Sequence, residues 1–297
     1  MTHSTLAPEP DTDADATFRN WMRLNLIHAA EKFELSVTGA PVFGWRLRSI
    51  GTVAHGPNES YWLRVVSEQP QWATGEFWTG NQDANALTEL PKPIVLLSTE
   101  WDEAGWRSQR AEVLTLLPGE PCSPSDVLRT EVELSDRWCS ELRRSLRQLA
   151  STPTTRINVT QTKVTGLVCA AFGQHRNLHI NHWETVHGDL HWNNLLQPQL
   201  GILDWEMWGR GPAGTDAATL CCCSLLNPHM ARRVHHEFAD TLDSPDGAIA
   251  QLWVAARLLK RINNSGDFPD LETPLRKHSE KIWRQVIRPR KGAQGSI

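Results

Sequence analysis

No run in this chain approaches the ~20 consecutive apolar residues of a membrane-spanning helix, so no membrane partner is expected. The opening MTHSTLAPEPDTDADATF lacks a basic stretch followed by an apolar one, so it does not read as a secretory signal. An excess of one charge is also missing. Thirty Lys and Arg stand against 34 Asp and Glu, a net of −4, which implies no broad affinity for nucleic acid. The six cysteines include no CxxC pair, and Cys221, Cys222 and Cys223 are adjacent. That spacing suits neither a disulfide framework nor a zinc site. It suits small buried apolar residues in a reducing cytoplasm. Tyrosine occurs once against fourteen tryptophans, a bias that carries no functional reading. No internal repeat is present.

What remains is ordinary for a globular protein: 297 residues, 40% hydrophobic and 22% charged, enough for one large domain or two lobes. Residues 1–17 are polar, acidic and Pro-containing, and are expected to form a disordered tail. Residues 34–66 are cut by Gly39, Pro41, Gly44, Gly51 and HGPNE into short strands, of which Tyr61 to Val66 is the clearest. Residues 71–88 are expected to form a helix carrying Glu76. PIVLLS and AEVLTLL read as further strands, and Pro118-Gly119 ends the second. Beyond the loop to Leu128 the period changes. Trp138, Leu142, Leu146 and Leu149 share one helix face behind a Ser135 N-cap. Val164 to Phe172 repeats with helical spacing and stops at Gly173. From Thr215 to near residue 288 the pattern is helical, with breaks near Asn227, Ser244–Gly247 and Asn263–Pro269. The expected fold class is α+β: a β-rich N-terminal lobe over 18–117 and a larger helical lobe over 118–297.

The chemistry concentrates in Val186-His187-Gly188-Asp189-Leu190-His191-Trp192-Asn193-Asn194, followed ten residues after Asn194 by Asp204 in Gly-Ile-Leu-Asp-Trp-Glu. Phosphoryl transfer needs a carboxylate to orient and deprotonate the attacking hydroxyl. It also needs oxygen ligands to hold Mg²⁺ against the phosphates. Asp189 and Asn194, five apart in one tight loop, can face one cavity, and Asp204 at the end of a short buried strand completes the metal shell. His187 and His191, four apart, would share a face only on a helix, and Gly188 argues against one, so a zinc hydrolase is disfavoured.

HGDLHWNNLL followed by LDWE resembles the catalytic and metal-binding loops of the aminoglycoside phosphotransferase and choline kinase family, whose members have a two-lobed protein-kinase-like fold. The family pattern HGDxxxxN is met at His187, Gly188, Asp189 and Asn194. The resemblance implies Asp189 as catalytic base, Asn194 and Asp204 as Mg²⁺ ligands, and His187 and Gly188 as supports of the loop. It also assigns Asp216, after Gly211-Pro212-Ala213-Gly214-Thr215, a structural role at a helix start, where a carboxylate suits free amides. Glu206 either approaches the metal or caps the loop.

The family's phosphate-binding strand Lys is replaced. The matching strand carries Arg64, with Glu76 as its expected partner, and Arg differs from Lys in size and geometry. No GxGxxG is present. Arg48 and Ser49 lie where the phosphate-covering loop belongs, and Thr115 and Leu117 lie in the stretch that reads the base. The implied activity is transfer of the γ-phosphoryl group of ATP or GTP to a hydroxyl of a small molecule. The implied acceptor types are aminoglycosides, amino alcohols and sugars. The departure at Arg64 keeps a second reading open, a catalytically weak kinase-fold protein that binds a nucleotide or metabolite. From Met230 onward 12 Lys and Arg outnumber 8 Asp and Glu, which disfavours a polycationic acceptor. Oligomeric state is not encoded in these patterns.

Overall fold

The computed structural model describes residues 13–103, 105–173 and 178–287, the last three by backbone alone. The chain divides into two compact units. One contains residues up to 82 together with 93–116, and the other contains 83–92 together with residues from 117 onward.

The first unit opens with α1 (Asp13–Lys32). Asp13 and Asp15 lie in its first turn and Lys32 in its last, each matching the sign of the helix dipole. Of the expected tail, residues 13–17 are helical, and 1–12 lie outside the described residues. Met22, Leu26, Ala29 and Ala30 fall on one face of α1 and are buried. They pack on an antiparallel sheet built from β1 (Ser36–Val37), β2 (Val42–Phe43), β3 (Ser49–His55), β4 (Ser60–Glu68) and two later strands. Two short helices, α2 (Gly75–Trp78) and α3 (Gly80–Asp83), precede β5 (Val95–Glu103) and β6 (Arg107–Thr115). The sheet order is β1-β3-β4-β6-β5, with β2 also on β3. Leu63, Val65, Ala111 and Val113 face α1. By alternation Arg64, Arg110 and Glu112 face the other way. The single helix expected over 71–88 is interrupted. Gly75 takes φ +73, and Thr79 leaves the helical region between the two short pieces.

Residues 83–92 belong to the second unit: Ala84 and Leu87 sit in its core, and the Pro91 carbonyl accepts from Ile202 N–H. Here β7 (Glu120–Pro121) precedes α4 (Asp136–Ser151) and α5 (Gln161–Phe172). The next elements are β8 (Trp183–Val186), β9 (Leu195–Gln197), β10 (Gly201–Ile202) and β11 (Gly209–Pro212). Strands β7, β9 and β10 form one small sheet, and β8 pairs with β11. The helices α6 (Thr215–Cys223), α7 (Pro228–Glu237), α8 (Ala239–Leu242), α9 (Pro245–Ser265) and α10 (Glu272–Ile287) complete the unit. The capping signals act as read: Ser135 accepts from Trp138 N–H, and Gly173 closes α5 at φ +63. Every residue of α6 is buried, the three adjacent cysteines included, as a helix enclosed by its neighbours requires. The fold is α+β, with a β-sheet unit and a helical unit. Among the described residues no helix is long and apolar enough to cross a membrane. The basic end of the chain beyond Ile287 lies outside the described residues.

Removing the α4 cap by Ser135→Ala should lower stability by about 1 kcal/mol in urea unfolding. No change would mean that the cap hydrogen bond contributes nothing.

Candidate active site

The loop bearing Asp189 is held from below by one carboxylate. Asp216, in the first turn of α6, accepts from His187 N–H at 2.8 Å through Oδ2 and from Gly188 N–H at 2.9 Å through Oδ1. Burial pushes its pKa up to about 7, against the opposing pull of these two amides. Gly188 sits at φ +84, and a Cβ there would stand 2.2 Å from Asn158 Nδ2 and 2.8 Å from the Met207 carbonyl. Only glycine suits both the conformation and the space.

His187 is fully buried and donates from Nε2 to the Leu203 carbonyl at 2.8 Å. That bond fixes the tautomer, leaving Nδ1 to accept from Asp189 N–H at 3.3 Å. Burial lowers its pKa to about 4, so the ring is neutral near pH 7 and supports the loop. Trp205 packs edge-on against it, with ring centres 4.7 Å apart. Leu203 also donates its N–H to the Asn194 carbonyl at 2.9 Å. One residue thus ties the loop bearing Asp189 and Asn194 to the strand end bearing Asp204. Asp204 itself adopts a left-handed conformation, φ +59 and ψ +67, costly for a residue with a Cβ and common at functional sites.

Asn194 donates from Nδ2 to the Asp189 carbonyl at 3.0 Å, with His191 Nε2 at 3.3 Å. This anchors the amide nitrogen and leaves Oδ1 as the atom free to bind a cation. An amide oxygen and the Asp204 carboxylate are hard donors that fit Mg²⁺ completed by phosphate oxygens and water. Among the described residues no three His, Cys, Asp or Glu side chains cluster as a metal site of their own. His187, committed to a carbonyl, gives no support to a zinc reading.

Asp189 is partly exposed. Arg257, on α9, donates from Nη2 to its Oδ1 at 3.2 Å and from Nη1 to the Gly188 carbonyl at 2.8 Å. His191 Nε2 lies 3.6 Å from Asp189 Oδ2 and 3.6 Å from Asp126 Oδ1. Arg261 binds Asp126 at 2.6 Å and Asp267 at 2.7 Å. Burial alone would raise the Asp189 carboxyl, but the pull of His191 and Arg257, with Arg261 behind them, outweighs it and holds the pKa below its usual value. The group is a carboxylate at neutral pH, ready to accept a hydroxyl hydrogen bond. Asp126, Asn158, Arg257 and Arg261 were not among the residues expected from sequence. No motif marks them, and Arg257 lies 68 residues beyond Asp189.

In the first unit Arg64 pairs with Glu112, directly opposite on β6, at 3.5 Å. The expected partner Glu76 lies in the first turn of α2 and is exposed. Glu112 is buried and also accepts from Asn81 at 3.0 Å and Arg110 at 3.0 Å. Cross-strand register set this pairing, a relation invisible to residue spacing along one strand. Arg48 packs on the Phe77 ring and bonds Glu68 at 3.0 Å. Ser49 opens β3, just past a turn in which Arg46 and Leu47 take φ +51 and +59. The left-handed backbone that glycines would ordinarily supply is here adopted by two residues with side chains. Thr115 donates its N–H to the Ile94 carbonyl and accepts from Ile94 N–H through its hydroxyl, and Leu117 packs beside Gly201.

No family model matches the chain, and no curated protein matches it. Solved structures do. The aminoglycoside phosphotransferase APH(4)-Ia superimposes with a TM-score of 0.62 at 16% identity, over 89% of this chain and 98% of that one. Amicoumacin kinase hAmiN, in complex with AMP-PNP, Ca²⁺ and Ami, gives 0.56 at 12% identity over 93% and 97%. Spectinomycin phosphotransferase APH(9)-Ia, with ADP and spectinomycin, gives 0.50 at 13% identity over 90% and 94%. The chain therefore has a kinase-like fold of two units. Within that class it is the fold of the aminoglycoside phosphotransferases, as the loop motif implied.

Gly188→Ala should destabilise the protein by at least about 1 kcal/mol from the left-handed backbone alone, and by more through the clash with Asn158. Wild-type stability in thermal unfolding would show the glycine to be dispensable. His187 sets a pH dependence. Its folded pKa, about 4, lies below its ordinary 6.5, so the unfolded chain takes up this proton first. Its contribution is complete above pH 6.5 and is lost as pH falls toward 4. His187→Gln should therefore lose less stability across that window than the wild type does. Equal losses would mean that the folded ring protonates freely.

Proposed function

We propose that this protein transfers the γ-phosphoryl group of ATP or GTP to a hydroxyl of a small molecule of the aminoglycoside, amino alcohol or sugar type. The carrying observation is the unit of Asp189, Asn194 and Asp204, joined through Leu203 and held on Asp216. The fold adds support, since similar structures hold AMP-PNP or ADP with a small-molecule substrate. The acceptor hydroxyl donates to the Asp189 carboxylate. Its proton passes to Asp189 as its oxygen bonds the γ-phosphorus and the bond to the bridging oxygen of the nucleoside diphosphate breaks. Asn194 Oδ1 and the Asp204 carboxylate are the residues that would hold Mg²⁺. When bound, the ion neutralises charge on the phosphate oxygens. Arg48, Ser49, Arg64, Glu76, Thr115 and Leu117 remain the nucleotide-binding residues of this proposal, and the cytoplasm, where nucleoside triphosphates are abundant, its location.

A second reading, a nucleotide- or metabolite-binding protein with little turnover, draws on the Arg64–Glu112 pair. A guanidinium already engaged by a buried carboxylate is a poorer phosphate grip than an available lysine.

Asp189→Ala should abolish acceptor-dependent transfer while leaving Mg²⁺-nucleotide affinity within about twofold by calorimetry. Asp204→Ala should weaken that affinity itself. Near-full turnover without Asp189 would remove it as the base. Unchanged affinity without Asp204 would remove that residue from the metal site.

A further inference from the structure

We propose that Arg257 is a positioning residue for the phosphoryl-transfer base, fixing Asp189 and its loop to helix α9; the role rests on the phosphotransfer reading. An aspartate at the lip of a loop turns about two side-chain bonds, and each misplaced rotamer points its oxygens away from the acceptor. The Arg257 fork removes that freedom. One nitrogen holds Oδ1 of Asp189, and the other holds the carbonyl of the preceding Gly188. Oδ2 is left for the acceptor hydroxyl. The Gly188 residue is consequently clamped on both sides, its N–H by Asp216 and its carbonyl by Arg257. The clamp stands on a rigid support, because Trp253, Val254, Ala255, Ala256 and Leu259 of α9 are buried in the core around it. Arg257 also lies over the Trp253 ring one turn back, 5.7 Å from its centre. A lysine would supply the charge but not the planar two-donor fork that spans a carbonyl and a carboxylate together.

The test uses the full chain with a nucleotide and acceptor that support turnover. Arg257→Ala should lower kcat by about 100-fold or more, as misplacement of a catalytic group does, with nucleotide KM within about twofold. Arg257→Lys should fall between the two, and free guanidinium should restore part of the rate to Arg257→Ala but none to Asp189→Ala. Arg276→Ala removes an equal charge from an exposed pair on α10 and should behave as wild type. Independently of turnover, amide exchange at residues 188–190 should quicken about tenfold or more in Arg257→Ala. Unchanged exchange would overturn the clamp. A rate loss with lowered Tm and no rescue by guanidinium or lysine would overturn positioning in favour of a purely structural role. A wild type that turns over no nucleotide with any acceptor would count against phosphotransfer, and the exchange measurement would still decide the clamp.

Discussion

The carboxylate of Asp216 is the constraint on which the site depends. Two consecutive backbone amides, those of His187 and Gly188, end on its two oxygens. That bidentate grip forces the chain to turn at Gly188 with positive φ, and the turn presents Asp189. Asp216 in turn is set by α6, whose fully buried length leaves it no freedom to shift. The placement of Asp189 therefore begins in the helical core, not in the loop. From the loop the order passes outward through Leu203, whose N–H and carbonyl meet Asn194 and His187, to Asp204.

Much of this was legible in residue order. A motif confined to residues 187–194 can be read because its members are local, and spacing alone brings Asp189 and Asn194 together. Helices such as α4 and α5 were legible for the same reason: cap, stripe and stop lie within one turn of where they act. Helix α1 was not. Its buried stripe of Met22, Leu26, Ala29 and Ala30 is interleaved with exposed Leu24 and Ile27, which blurs the apolar period. Arg257 was hidden for a different reason. Its partners lie on a distant loop, and an arginine on a long helix looks like any solvated charge until the helix is docked.

The first unit shows how an arginine at residue 64 is accommodated by the sheet. The charge of Arg64 is met across the strands by Glu112, which Arg110 and Asn81 also engage. A buried carboxylate shared by two guanidiniums is stable only as a complete set, since removing one partner leaves an uncompensated charge. This network makes Arg64 part of the sheet.

The most direct measurement follows the label itself: ATP or GTP labelled at the γ-phosphate, with Mg²⁺, incubated with aminoglycosides, amino alcohols and sugars. The account predicts that label appears covalently on at least one acceptor with the wild type and on none with Asp189→Asn. Nucleotide that binds tightly yet never yields its label to any hydroxyl would contradict it.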